Sequence, residues 1–245
     1  MPQAPETPGK PKRDKHAPRG LTIIHEDRDI FVINKNAGVL SCETRHQEPY
    51  TAENVLTNYI RKGCASSYKR AYLVHRLDRE TSGIMLFAKT EEMQQNLKND
   101  WKNTEKLYLV AVYGHPKQPS GIFSSYLTEN EDFRVYSVAD PERGRFSETE
   151  YWVIGETETM TLLKVRLLSG RKNQIRVHFS EHGMPVVGDT KYNRDDPFAD
   201  RLCLHSKSIE FNHPFNHKRC FFDTEIPPVF RKIARGFCEA DWKNA

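Results

Sequence analysis

The segment VHRLDRETSG (74–83) sets one aspartate, Asp78, between Arg76 and Arg79, with Glu80, Thr81, Ser82 and Gly83 following. A carboxylate kept ionised by neighbouring cations can act as nucleophile or general base, and the same residues could equally form a surface salt bridge. HRLD differs from the kinase loop HRDLxxxxN by the leucine before the aspartate. No DFG, glycine-rich phosphate loop or GxxxxGK[ST] accompanies it, which excludes a kinase. Asp78 and Glu80 could also be read as a glycosidase pair, which needs carboxylates about 5–5.5 Å apart, a separation that sequence does not set.

Two further clusters carry chemistry. GRKNQIRVH (170–178) places Arg171, Lys172 and Arg176 within six positions, with Asn173 and Gln174 between them and no acid. At a helix start, free N–H groups and the helix dipole add to the attraction for phosphate. Arg171 and Arg176 are five apart, so one helical face does not carry both, and they are expected to do different work. Lys106-Leu107-Tyr108 lies on a β-like stretch, where a lone tyrosine reads first as packing. His213 and His217 share an i, i+4 spacing, but Pro214 argues against a helix and the glutamate of HExxH is missing, so no metal is assigned.

These residues need elements to position them. LTIIHED and DIFVINK read as opening strands. TAENVLTNYIRKG predicts a helix with Val55, Leu56, Tyr59 and Ile60 on one face, Thr51 as N-cap and Gly63 as stop. AYLV and SGIMLFAKT read as buried strands on either side of Asp78, which puts the acid on a rigidly held loop. Met93, Leu97 and Trp101 mark a second helix after a Thr90 cap. EKLYLVAVYG is a strand, and a long irregular region with β signals runs from there to about residue 155. TLLKVRLL alternates as a half-buried strand. Ser169 and Gly170 make a turn, and a short helix follows to Gly183. Val229, Ile233 and Phe237 line a single C-terminal helix after Pro227 and Pro228. Strands and helices mix without βαβ alternation, which predicts an α+β fold with a mixed, mainly antiparallel sheet.

The bulk properties exclude several classes. No apolar run reaches the roughly 18–20 residues of a membrane span, and MPQAPETPGKPKRDK lacks a secretory h-region. Five cysteines form no CxxC pair, which points to free thiols in a reducing cytoplasm. The net charge of +4 is mildly basic. Five basic residues among five prolines in the first twenty positions read as a disordered arm, 1–20, ahead of a catalytic domain, 21–245.

In order along the chain, HRLDRETSG (75–83), KLYLVAVYG (106–114), GRKNQIRVH (170–178) and GMPVVGDTKY (183–192) resemble the motif set of the RluA-type RNA pseudouridine synthases. DIFVINKNAGVL and LCLHSKSIEFNHP resemble further segments, and the similarity spans about residues 21 to 230. The resemblance implies the pseudouridine synthase fold with a central cleft, and isomerisation of an RNA uridine to its carbon-linked form. That reaction needs no cofactor. The resemblance also implies Asp78 as catalytic carboxylate, Tyr108 as a ring that stacks on the detached uracil, and Arg176 as the cation that keeps Asp78 ionised. Arg76, Arg79, Thr81, Arg171, Lys172 and Gln174 are the implied RNA-binding residues, His75 and His178 structural ones. The expected partner is a stem-loop of transfer or ribosomal RNA, and the expected state a monomer. An RNA-binding or RNA-folding factor on the same scaffold is the alternative. Two departures stand out. NKPAG appears as NKNAG, where Asn36 should loosen the turn. The usual GRTHQIR or GRSHQIR appears as GRKNQIR, a change expected to affect RNA contacts beside the site and not the catalytic set.

Overall fold

The computed structural model describes residues 18–44, 48–198, 201–234 and 237–244, so the greater part of the basic arm lies outside the described residues. In chain order the strands are β1 (Leu21–Glu26), β2 (Ile30–Lys35), β3 (Tyr72–Leu73), β4 (Ser82–Ala88), β5 (Glu105–Tyr113), β6 (Ser120–Glu129), β7 (Val135–Val138), β8 (Arg145–Glu156), β9 (Met160–Leu167), β10 (Leu204–Asn212) and β11 (Arg219–Asp223). The helices are α1 (Ala52–Arg61), α2 (Glu91–Asn99), α3 (Gln174–Glu181), α4 (Pro228–Ile233) and α5 (Glu239–Asn244). All eleven strands join one sheet, ordered β1-β2-β4-β10-β5-β9-β8-β6-β7, with β3 on β4 and β11 on β10. β4 and β10 pair in parallel and the other pairings are antiparallel. The fold is therefore α+β, as the mixed element pattern predicts.

Period-2 alternation explains how the sheet serves two cores. Phe31, Ile33, Tyr108, Val110 and Val112 face one core with Leu56 of α1 and Phe179 of α3. Leu109 and Ala111 face the opposite side with Phe230 and Trp242, and Ile30 and Val32 face it with Met93 and Leu97 of α2. Thr51 and Thr90 cap α1 and α2 as expected, each hydroxyl accepting a backbone N–H three residues on. Gly83 shows why a glycine follows Thr81 and Ser82. Its φ is +114°, and a Cβ there would sit 2.2 Å from the Ser206 carbonyl oxygen, in the parallel pairing with β10.

Three expectations need correction. The region up to residue 155 is regular antiparallel sheet, with β6 central and paired to β7 on one side and β8 on the other. One face of it is solvated and still carries apolar residues such as Ile122 and Phe146, while Ser147 and Thr149 are buried, so apolar and polar residues do not sort cleanly by face. The strand β3 before the Asp78 loop has only two residues, both half-buried. The C-terminal helix ends at Ile233 because Ala234 turns extended, and Phe237 reaches the same core cluster from outside any helix.

Two buried histidines sharpen the acid stability of this core. His178 lies between the hydroxyls of Thr149 (2.9 Å) and Ser125 (3.0 Å), and His205 between those of Ser82 (2.6 Å) and Thr224 (2.7 Å). Burial pushes the first down to about 4 and the second to about 3, so both stay neutral in the native state. From pH 6.5 down to about 4 the unfolded chain binds two protons that the folded chain excludes. Stability then rises with pH across this window and is lost on acidification, at up to roughly 3 kcal/mol per pH unit from this pair. Thermal melts between pH 7.5 and 4.5 should show the midpoint falling ever more steeply below pH 6.5; a flat profile would contradict the assignment.

Candidate active site

The loop from Val74 to Thr81 carries Asp78 and is clamped from two sides by one early segment, NKNAGVLS. Ser41, buried, accepts the Leu77 N–H (3.0 Å) and donates to the Leu77 carbonyl (2.6 Å). Lys35, fully buried, donates to the carbonyls of Arg79 (3.1 Å), Val39 (2.7 Å) and Asn36 (3.1 Å). The Gly38 N–H adds a bond to the Arg79 carbonyl (2.8 Å). Burial pulls the Lys35 ammonium down to about 7, against the opposing pull of Glu80 and then Asp78. The loop is thus fixed by backbone bonds on either side of the acid, and the Asp78 side chain is left for other partners.

Those partners come from the start of α3 and the residue before it. Asn173 donates to Asp78 Oδ2 at 2.6 Å, and Arg176 Nη1 reaches the same oxygen at 3.3 Å. The stronger partner of Arg176 is Asp189, whose carboxylate accepts Nε and Nη2, each at 2.7 Å, in a bidentate fork. Burial pulls the guanidinium down, but the bonds to Asp189 and then Asp78 carry it well above its ordinary value, so it is a fixed charge. Asp189 also accepts the backbone N–H groups of Lys191 (3.0 Å) and Tyr192 (3.1 Å). Gly188, at φ +77°, precedes it where a Cβ would meet the Arg201 carbonyl at 2.0 Å. The turn before α3 is bolted to β8 by Gln174, which accepts from Ser169 Oγ and the Arg171 N–H and donates to the Glu148 carbonyl and Thr149 Oγ1.

Asp78, Tyr108 and Arg176 line one cleft of about 290 Å³ together with Arg76, Thr81, Trp101, Lys106, Arg171, Lys172 and Asn173. Three residues far apart in the chain therefore converge, brought there by the loop before β4, by β5 and by α3. Tyr108 is buried and hydrogen-bonded to the Ser206 side chain, and burial raises its phenol well above the usual tyrosine range. Its hydroxyl is poorly suited to act as a base, which leaves the ring face as its useful surface. Thr81 presents a buried hydroxyl without a hydrogen-bond partner. At the far end Lys106 is pulled down to about 8 by burial, donates to the Thr104 carbonyl (2.9 Å) and sits 5.1 Å from the Trp101 ring centroid. His75 stacks on that ring (4.8 Å) while its Nε2 accepts the Leu86 N–H, a structural bolt onto β4.

The sequence pattern of a family described as RNA pseudouridylate synthase matches residues 29–181, more than half the chain and both walls of this cleft. The chain belongs to that family. Among relatives, a protein named dual-specificity RNA pseudouridine synthase RluA, from Vibrio cholerae, is 35% identical over 202 residues, covering 80% of this chain and 79% of its own length. A Bacillus subtilis protein named uncharacterized RNA pseudouridine synthase YjbO is 32% identical over 222 residues, covering 89% of this chain and 77% of its own. The solved structure of human RNA pseudouridylate synthase domain containing 4 shares the fold, with a TM-score of 0.71 at 22% identity over 85% of this chain and 89% of that one. The protein is accordingly an RNA pseudouridine synthase with RluA-type relatives, an isomerase acting on RNA.

Within this pseudouridine synthase the outer residues fall into two groups. Arg76 and Arg171 are exposed at the cleft. Arg79 instead bonds the Gly38 carbonyl (3.2 Å) and pairs with Glu80, away from the cleft lining. Lys172 is paired with Glu129 of β6, and the Gln174 amide is saturated by protein partners, so it builds the turn rather than offering atoms to RNA. The two motif departures also read differently in three dimensions. The Asn36 N–H, which proline would lack, donates to the Gly20 carbonyl (3.0 Å), so asparagine ties this turn down instead of loosening it. Asn173 touches the Asp78 carboxylate itself, so that change does reach the proposed catalytic group. His213 pairs with Asp27 (3.5 Å) instead of His217, and its Nδ1 accepts the Phe215 N–H. Among the described residues no helix is long and apolar enough to cross a membrane.

Lys35, Ser41, Asp189 and Lys191 support the site without having been singled out by type. Lys35→Met is expected to take a donor from three carbonyls, of which that of Arg79 keeps the Gly38 N–H, destabilising the fold by about 2 kcal/mol and lowering turnover at least roughly tenfold as the Asp78 loop loses its register. Melting and release of tritium from 5-tritiated uridine RNA measure the two effects.

Proposed function

We propose that Asp78 is the catalytic carboxylate of this synthase, with Arg176 as its counter-charge and Tyr108 as the stacking surface, acting on uridines in a stem-loop of transfer or ribosomal RNA. The observation that carries this reading is the one-sided hold on Asp78. Both of its side-chain hydrogen bonds land on Oδ2, so Oδ1 remains available in a nucleoside-sized cleft beside an arginine that is fully charged. The carboxylate can attack the ribose anomeric carbon or remove a ribose proton. Either route lets the bond to uracil N1 break and the base turn against Tyr108; a bond then forms from the anomeric carbon to C5 as the carboxylate leaves that carbon or returns the ribose proton, with the C5 proton lost and N1 reprotonated. The target uridine must leave its stack to enter, at a cost of a few kcal/mol when paired and less in a loop. Exposed Arg76 and Arg171 suit contacts to the flanking phosphates.

Mapping of pseudouridine in cells with and without the gene tests substrate and activity together. Loss of specific pseudouridines from transfer or ribosomal RNA is expected, with the purified protein restoring them and releasing C5 tritium from RNA of the deletion strain. No change at any uridine, with RNA affinity intact, would favour an RNA-folding factor, and free uracil as product would mean a glycoside hydrolase.

A further inference from the structure

We infer that Asn173 is a positioning residue for the reaction, its amide holding the ionised Asp78 carboxylate by Oδ2 so that Oδ1 is presented to the nucleotide; this rests on the reading of Asp78 as the catalytic group. The Asn173 contact to Asp78, at 2.6 Å, is shorter than that of Arg176, at 3.3 Å, and Arg176 is already engaged by Asp189. The orientation of the amide is set from behind. Its oxygen accepts from the Lys191 ammonium (3.1 Å) and the Tyr192 hydroxyl (3.5 Å). An ammonium can only donate, so the oxygen must face Lys191 and the NH2 group must face Asp78. Lys191 is itself anchored on the Phe133 carbonyl (2.8 Å), and its backbone N–H on Asp189. A relay therefore runs from the hairpin of β6 and β7 through Lys191 and Asn173 to the acid.

The backbone gives an independent reason for asparagine here. Residue 173 has φ +52° and ψ +19° as the residue preceding α3, the left-handed region in which asparagine is several-fold enriched. Asn173 makes no cap hydrogen bond to α3: the oxygen that a cap would use accepts from Lys191, and the NH2 group donates to Asp78. The side chain is buried, so the contact is built into the site and not a surface encounter.

Asn173→Gly removes the amide while keeping a residue that accepts positive φ, which separates the loss of the donor from backbone strain. The probe is 5-tritiated uridine RNA from cells lacking the gene, with enzyme in excess, followed across pH, and with filter binding of the same RNA. A donor to the charged form of a carboxylate favours that form, so its removal should move the acid limb of the rate profile upward by roughly one pH unit. Turnover at neutral pH should fall about tenfold and RNA affinity change less than about threefold, since the buried amide is engaged by Asp78 and Lys191. Asn173→Asp, which keeps the partner for Lys191 but sets an acid beside Asp78, should move the limb further in the same direction. An acid limb that stays at the wild-type position in Asn173→Gly overturns the inference whatever happens to the rate. Asp78→Asn run in parallel separates the two readings. Activity in that variant overturns both, whereas an inactive Asp78→Asn beside an unmoved limb in Asn173→Gly overturns only the role of Asn173.

Discussion

Asp78→Asn is expected to lower tritium release by roughly a thousandfold or more while the protein melts within a few degrees of wild type and binds RNA at least as well. The substitution is isosteric, and its amide oxygen can take the place of Oδ2 under Asn173 and Arg176. The fold should notice little, because Arg176 keeps its fork to Asp189 and the loop is held by Ser41 and Lys35 through backbone groups. What disappears is the free oxygen with its negative charge, which is what either route at the sugar requires. RNA affinity should not suffer, since one negative charge near the phosphates is gone. A variant that keeps a tenth of wild-type release would reject Asp78 as the reacting group.

The sequence shows a feature when its cause is local. Thr51 and Thr90 sit three residues before the N–H groups they cap, so both helix starts could be read directly. Asp78, Tyr108 and Arg176 stand in short segments whose residue types speak together, and the structure brings all three to one cleft. Roles that depend on a partner far along the chain were invisible. Nothing about the aspartate in VVGDTKY signals a fork to an arginine thirteen residues earlier, nor does the lysine of NKNAG announce three carbonyls to hold. Gln174 misled for the complementary reason. A polar side chain at a helix start looks available, and only burial against β8 shows its four bonds already made. The β6–β8 region was hidden because burial there does not follow residue type: Ser147 and Thr149 are buried while Ile122 and Phe146 are exposed. At the C-terminus the spacing of Val229, Ile233 and Phe237 reported a shared core correctly, but one helix was not needed to deliver it.

The Arg176–Asp189 pair should dominate the stability of the site. Asp189→Ala is expected to cost about 3–5 kcal/mol and lower the melting midpoint by roughly 10 °C for a chain of this size. Both groups are buried, and the fork together with two backbone N–H groups uses the whole carboxylate. Asp189→Asn keeps the shape but turns one acceptor into a donor facing another donor, whichever way the amide flips, so it too should be strongly destabilised. Activity should fall further than folding requires. Released from Asp189, the guanidinium has Asp78 as its remaining acidic partner, and a full fork there would occupy the oxygen that the reaction needs. Replacing both members, Arg176→Leu with Asp189→Leu, removes the unpaired charge and should recover much of the lost stability, because the desolvation cost of the pair vanishes with it. The double variant should nevertheless stay inactive, since Asp78 then has no counter-charge. Melting midpoints and tritium release across this cycle separate the two roles. Single variants that each cost less than about 1 kcal/mol and add without coupling would show the pair to be incidental, and an active double variant would remove Arg176 from the chemistry.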